Sequence, residues 1–198
     1  MSVPATLQGN DCSISSYEDR IYGFEPYIPD GCHILILGSM PSVKSLEQGF
    51  YYANKQNRMF KLIACYYARS LGLKEGELVL SSIEQRKAAL SALGIGMWDV
   101  VDSCERKGSL DSNIKNAHYA DIISLIKKYP NIKHVLTCGN FASKHFAIST
   151  LKDSRYLNGE VSFNHYALPS TSAANTIKFA LLKERYDDVL LKLLPYQS

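Results

Sequence analysis

The segment His33-Ile-Leu-Ile-Leu-Gly38 constrains the fold more than any other stretch of the chain. Its consecutive branched aliphatic residues leave no polar face, so an extended segment of this composition must be covered on both sides. A strand buried on both faces belongs to a parallel sheet layered between helices, and the glycine that ends it admits a tight exit into a loop. Comparable runs recur at Met97-Trp-Asp-Val-Val, at Lys133-His-Val-Leu-Thr-Cys-Gly and from Val161 to Leu168. Helical periodicity fills the intervals. Asn57 to Leu71 places Met59, Phe60, Ile63 and Tyr67 near one face, and Ser82 to Leu93 is stopped by Gly94. Ala120 to Lys128 turns Ile122, Ile123, Leu125 and Ile126 inward, with Pro130 just beyond its end. Asn140 can cap a helix after the third strand, and a final helix runs from about Asn175 to Leu194. Ser39 to Gln56 and Glu105 to Asp111 read as irregular or exposed loops. The alternation predicts an α/β fold: a three-layer α/β/α sandwich around a mostly parallel four-stranded sheet. Residues 1–20, polar and serine-rich, read as an irregular lead-in to a single domain over 21–198.

Composition narrows the function classes. A chain of 198 residues, 46% hydrophobic and 21% charged, has the profile of a soluble one-domain protein. No apolar run approaches the roughly 18 residues of a membrane helix, and the N-terminus lacks a secretory pattern, so a cytoplasmic protein without membrane contact is expected. Cys12, Cys32, Cys65, Cys104 and Cys138 are scattered singly. Such spacing predicts reduced thiols and no metal or iron–sulfur cluster. Nothing demands more than a monomer. The net charge of +3 is too mild to require a polyanion. Locally, Lys44, Lys55, Arg58 and Lys61 face only Glu47 and alternate with Phe50, Tyr51, Tyr52 and Phe60. This segment is either a surface that meets phosphate and base together or a solvated helix start beside packed aromatics.

Open α/β sheets bind ligands beyond the carboxyl ends of their strands, which singles out the loops after Leu37, Val101, Cys138 and Leu168. The first, Gly38-Ser39-Met40-Pro41-Ser42, is neither a Walker loop nor a nucleophile elbow. The order of the pieces is more specific. G-S-x-P-S is followed by S-L, G-F-Y-Y and Q-N-R; then come G-I-x-x-W-D-V-V, R-x-G-S-L-D and L-P-S-T-S-x-A-N. In this order the sequence resembles the uracil-DNA glycosylase superfamily over roughly Phe24 to Arg185. Within it, the sequence is similar to the hypoxanthine-DNA glycosylase group (family 6), relatives of the mismatch-specific uracil/thymine glycosylases.

The resemblance implies base excision from damaged DNA without a cofactor. Where other members carry an Asn or Asp in the first motif to position the attacking water, this chain has Met40. The hypoxanthine group relies instead on the asparagine of its Q-N-R segment, which maps onto Asn57. The resemblance therefore makes Asn57 the catalytic residue; helix capping is the alternative role. Two differences leave base choice open: A-H-P reads Ala53-Asn54-Lys55, and F-W reads Met59-Phe60. The base pocket is assigned to Gly38, Ser39, Met40, Tyr51, Tyr52, Phe60, Cys138, Gly139 and Asn140. One of the two tyrosines stacks under the base and the other packs, since successive side chains of an extended segment point apart. Phosphate and minor-groove contacts are assigned to Ser42, Ser45, Arg58, Arg106, Pro169, Ser170, Thr171 and Ser172, with capping of the final helix as the alternative for the last loop. Asp111 orders its loop or starts a helix. Leu168 stands where uracil-specific members carry a histidine, and His165 reads as structural. No lysine nucleophile stands out, so no lyase step is expected. The competing readings are a uracil or G:T/U mismatch glycosylase and a catalytically silent DNA-binding relative. A small-molecule hydrolase finds no triad or metal ligands.

Overall fold

The computed structural model describes residues 20–194; the serine-rich lead-in, apart from Arg20, and Cys12 lie outside them. The aliphatic run forms β2 (Ile34–Gly38), buried along its whole length. It pairs in parallel with β3 (Ile95–Asp99) on one edge and β6 (His134–Cys138) on the other. β6 in turn pairs in parallel with β7 (Asn164–Leu168), giving the order β3-β2-β6-β7. Pleating divides β2 between two cores. Ile34 and Ile36 meet α2 (Met59–Ser70), α3 (Ile83–Ala92) and α7 (Phe179–Leu193). Leu35 and Leu37 meet α4 (Ile122–Lys128) and α5 (Asn140–Ser149). These are the three layers anticipated from sequence. At the start of α3, Ser82 and Gln85 close a reciprocal capping box.

Four features depart from the expectation. The segment Met97–Val101 is not one strand: the chain leaves the parallel sheet after Asp99 and starts β4 (Val101–Glu105). β4 joins β1 (Ile21–Tyr22) and β5 (Lys115–Tyr119) in a separate antiparallel sheet, order β1-β4-β5. The loop after β2 contains a short helix, α1 (Val43–Gln48), capped by Ser42. A further turn of helix, α6 (Ser154–Leu157), precedes β7. Finally, Asn140 does not cap α5. Gly139 occupies the cap position, and Asn140 is the first residue of the helix.

The second sheet buttresses the loop after β2. Backbone N–H groups of Val100 and Val101 donate to the carbonyls of Gly38 and Ser39 at 2.9 and 3.0 Å. Met40 packs with Val101 and Cys104 beneath it. Among the described residues no helix is long and apolar enough to cross a membrane, and no group of three metal-ligating side chains occurs. Phe146 is wholly buried under the sheet. Phe146→Ala is expected to cost about 3–5 kcal/mol, read as a lower urea midpoint with an unchanged slope.

Candidate active site

The carboxyl ends of β2, β3, β6 and β7 open into a cavity of about 670 Å³. Four chain segments line it: Gly38–Ser42, the loop before α2 with Tyr51, Tyr52 and Asn57, the turn at Ser109–Ser112, and Pro169–Asn175. Asp99, Cys138, Gly139 and Asn140 complete the wall.

Asn57 is fixed by both of its neighbours. Its Oδ1 accepts from the Met59 N–H and from the Thr171 hydroxyl, each at 2.9 Å. The Met59 amide can only donate, so the oxygen of the side-chain amide is identified and its unused capacity is the two hydrogens on Nδ2. Thr171, assigned from sequence to phosphate, is buried, and its hydroxyl orients Asn57 instead.

The loop that carries Thr171 is held by Arg58. Its guanidinium donates to the carbonyls of Thr171, Ser172, Asn175 and Ile177, and its backbone N–H donates to Thr171 as well. The expected phosphate contact is therefore a clamp that ties α2 to the loop after β7. The hydroxyls of this loop do not cap α7, whose cap position is Lys178. The Ser170 hydroxyl accepts from the Ser172 N–H, and the Ser172 hydroxyl from the Ala174 N–H. Pro169 accepts from the Tyr186 hydroxyl through its carbonyl.

Other assignments also change. Arg106 is buried, and its guanidinium donates to the carbonyl of Pro41, which removes it from any phosphate-binding surface. Ser45 is buried; its oxygen accepts from the Ala53 N–H and shares a hydrogen bond with the Ser42 hydroxyl, so it braces the loop. Phe60 lies outside the cavity, stacked on Phe50 beneath the Arg86 guanidinium. The basic window is dispersed: Lys44 pairs with Glu47, Lys61 lies over the Phe179 ring, and Lys55 remains exposed. His165, a half-buried strand residue that does not line the cavity, packs on Phe146 and bonds Thr137.

The tyrosines separate for a reason other than strand alternation. Tyr52 takes a left-handed backbone conformation, φ 49°, within a turn. Tyr51 is buried against Phe24 and Phe50, with its hydroxyl on the Glu25 carbonyl at 2.8 Å. The Tyr52 residue is half-buried, and its hydroxyl is enclosed beside the Cys138 thiol.

Sequence reading gave no role to Asp99, the most unusual group of the cavity. It closes β3 directly opposite Gly38 on β2. A Cβ added at Gly38 would sit 2.4 Å from Asp99 Oδ1 and 3.1 Å from the Tyr52 hydroxyl, so glycine alone leaves room for both. Asp99 Oδ2 is buried with no partner. Burial, reinforced by Asp111 and opposed by Arg106, pushes its carboxyl up to about 7. Asp111 accepts from the Ser39 hydroxyl at 2.6 Å and opens a short 3-10 turn, Asp111–Asn113. The sequence signal for Asp99 was a lone carboxylate inside the apolar run Met97-Trp-Asp-Val-Val.

Two consequences are measurable. A lysine cannot span the carbonyls that Arg58 bridges, so Arg58→Lys is expected to destabilise by at least about 1.5–3 kcal/mol, the range for one hydrogen bond to a charged group. Faster amide exchange at 171–177 would accompany the loss. Asp99 ionises in the unfolded chain near its ordinary 3.8 but in the native protein only near 7. Within that window the native state holds the extra proton, so stability falls as pH rises, by up to about 1.4 kcal/mol per pH unit. Asp99→Asn removes the slope: its stability relative to wild type should grow from pH 4.5 to 7.5. A constant difference would show that Asp99 is not held neutral.

Comparison with known proteins agrees with this architecture. The family model of the Uracil DNA glycosylase superfamily matches residues 25–194. A Methanosarcina acetivorans protein named hypoxanthine DNA glycosylase is 28% identical over 153 residues, covering 77% of this chain and 87% of that protein. A protein of the same name from Methanosarcina barkeri is 33% identical over 124 residues, 62% of this chain and 73% of the relative. The solution NMR structure of a candidate uracil DNA glycosylase from Methanosarcina acetivorans superposes with a TM-score of 0.67 at 25% identity, covering 88% of this chain and 98% of that one. With its fold, its strand-end cavity and the matched length in agreement, the chain belongs to the uracil DNA glycosylase superfamily.

Proposed function

We propose that the chain is a monofunctional DNA glycosylase that draws a deaminated base, foremost hypoxanthine, into the strand-end cavity and hydrolyses its glycosidic bond. The observation that carries this reading is Asn57, a half-buried amide in the cavity wall whose orientation is fixed by Met59 and Thr171. The first loop offers Met40 in the cavity wall and no polar side chain at that position. The names of the two Methanosarcina relatives support hypoxanthine as the base.

A base inside a duplex is out of reach of any side chain, so it must leave the stack at a cost of a few kcal/mol. Tyr52 is the platform that offsets it, by the roughly 1–3 kcal/mol that base–aromatic stacking supplies. Tyr51 is occupied in the core. Gly139 has φ 95°, and a Cβ there would lie 3.0 Å from Ser170 Cβ, so glycine lets the last loop pack closely against the end of β6 and close that side of the pocket. Ser39, Cys138 and Asn140 complete that base pocket, while Ser42, Pro169, Ser170 and Ser172 meet the phosphates at the mouth. Asn57, nearer the rim than the strand ends, serves the sugar. Its Nδ2 hydrogens hold the water that adds to C1′ as the bond to the base breaks. Among the described residues no lysine lines the cavity, and the reading includes no lyase step.

The test is a base-release assay on matched oligonucleotides carrying hypoxanthine, uracil or a G:T mismatch, each followed by alkaline cleavage. Release of hypoxanthine is expected, with Asn57→Ala slower by about 10²–10³. Release of uracil alone would move the substrate within the superfamily. DNA binding with no release from any substrate would make the protein a silent relative.

A further inference from the structure

The deepest part of the cavity holds chemistry that Asn57 does not use. Asp99 and Tyr52 bring their polar ends over Gly38, in the space that a Cβ would fill. Asp99 Oδ2 is buried without a hydrogen-bond partner, although unsatisfied buried groups are rare and destabilising, and the Tyr52 hydroxyl beside it faces the Cys138 thiol. Asp99 is only 5% exposed, yet it lines the cavity. An apolar residue of similar size would serve the sheet better, so the carboxyl has a use outside the fold.

Two chemical roles suit a carboxyl here, activation of water or proton donation to the leaving base, and depth separates them. A flipped nucleotide enters base first, leaving its sugar and phosphates toward the mouth. Asn57, Ser170 and Ser172 are half-buried, whereas Asp99, at the end of β3, is almost wholly enclosed, which favours the base end of the nucleotide as its neighbour. We infer that Asp99 is the general acid of this enzyme, meeting the flipped purine at the floor of the cavity and protonating it as it departs. This role rests on the glycosylase reading above. The bond from C1′ to N9 breaks with its electron pair passing to the base, and the Asp99 proton passes to a ring nitrogen of the purine, so that a neutral base leaves. Water adds to C1′ and gives up one proton, which restores the acid directly or through solvent.

The surroundings keep the proton in place. Asp111 and Arg106, from the connection between β4 and β5, act on Asp99 in opposite directions, and burial favours the neutral acid. Tyr51 and Tyr52 from the loop before α2, and Cys138 from β6, also face it, and burial raises all three above their ordinary values. None of them therefore brings a competing negative charge at neutral pH. A carboxylate would repel the O6 and N7 acceptors of hypoxanthine, whereas the neutral acid donates to that edge.

Single-turnover rates across pH 5.5–9 on hypoxanthine DNA, for wild type and Asp99→Asn, test the assignment. The wild-type rate should fall as pH rises through about 7, and the variant should be at least about 100-fold slower with that fall abolished. The second arm uses 7-methylhypoxanthine, a cationic base that leaves without taking up a proton; there the variant's deficit should largely close. Equal deficits on both bases would make Asp99 a packing residue. A wild-type rate that climbs with pH and loses the climb in Asp99→Asn would make it a base, and a variant as fast as wild type would remove it from the reaction. Affinity of Asp99→Asn for abasic DNA checks that the cavity is intact. A wild-type protein that releases no base overturns the glycosylase reading and this assignment together, whereas an active wild type with an unaffected variant overturns this assignment alone.

Discussion

A parallel strand paired on both edges and covered on both faces can end only in a loop, and the placement of every active-site group follows from how β2 meets that requirement. Its aliphatic side chains anchor two cores at once, so the position of Gly38 is determined by the packing of both layers. The strand end cannot drift, because the carbonyls of Gly38 and Ser39 are engaged by the backbone of Val100 and Val101. Parallel register then sets Asp99 beside Gly38 and Leu168 beside Cys138. Groups that line one cavity thus arrive from distant parts of the sequence at a shared edge, with the rigidity of the sheet rather than of any loop.

The parallel sheet and its helices were legible because burial on both faces writes itself as an unbroken apolar run, and amphipathic helices write a period. The antiparallel sheet was not. β5 is Lys-Asn-Ala-His-Tyr, mostly exposed, with no alternation to mark it. β4 follows β3 so closely that the two runs merge into one apolar stretch. Hydrophobic pattern reports burial, and strands held mainly by backbone pairing at a sheet edge leave little trace in it.

At the site, the order of motifs pointed to loops that the structure gathers around one cavity, and most assigned residues line it. The errors share a cause. Arg58, Arg106 and Thr171 are polar residues in loops near a nucleic-acid site, which reads as outward-facing contact chemistry. In the structure each turns inward to satisfy a backbone carbonyl or an amide. Backbone acceptors have no sequence identity, so a side chain that serves them looks free until the fold is seen. Asp99 is the converse case: inside an apolar run it looked incidental, and its unpaired burial became apparent only with its neighbours in place.

The Arg58 clamp carries a consequence for how this region can vary. A guanidinium that reads only carbonyl oxygens is indifferent to the side chains of the segment it holds, but not to the path of that segment. The exposed residues Ala173, Ala174 and Thr176 can therefore exchange identities, altering what the mouth of the cavity presents to DNA, while Ser172, Asn175 and Ile177 brace the loop through contacts of their own. Insertion or deletion of a single residue would displace the set at once and release Thr171 from Asn57. In this stretch the heritable information lies in length and in three bracing side chains, and a loop transplanted from a relative that keeps both would bring a new surface without disturbing the amide beneath it.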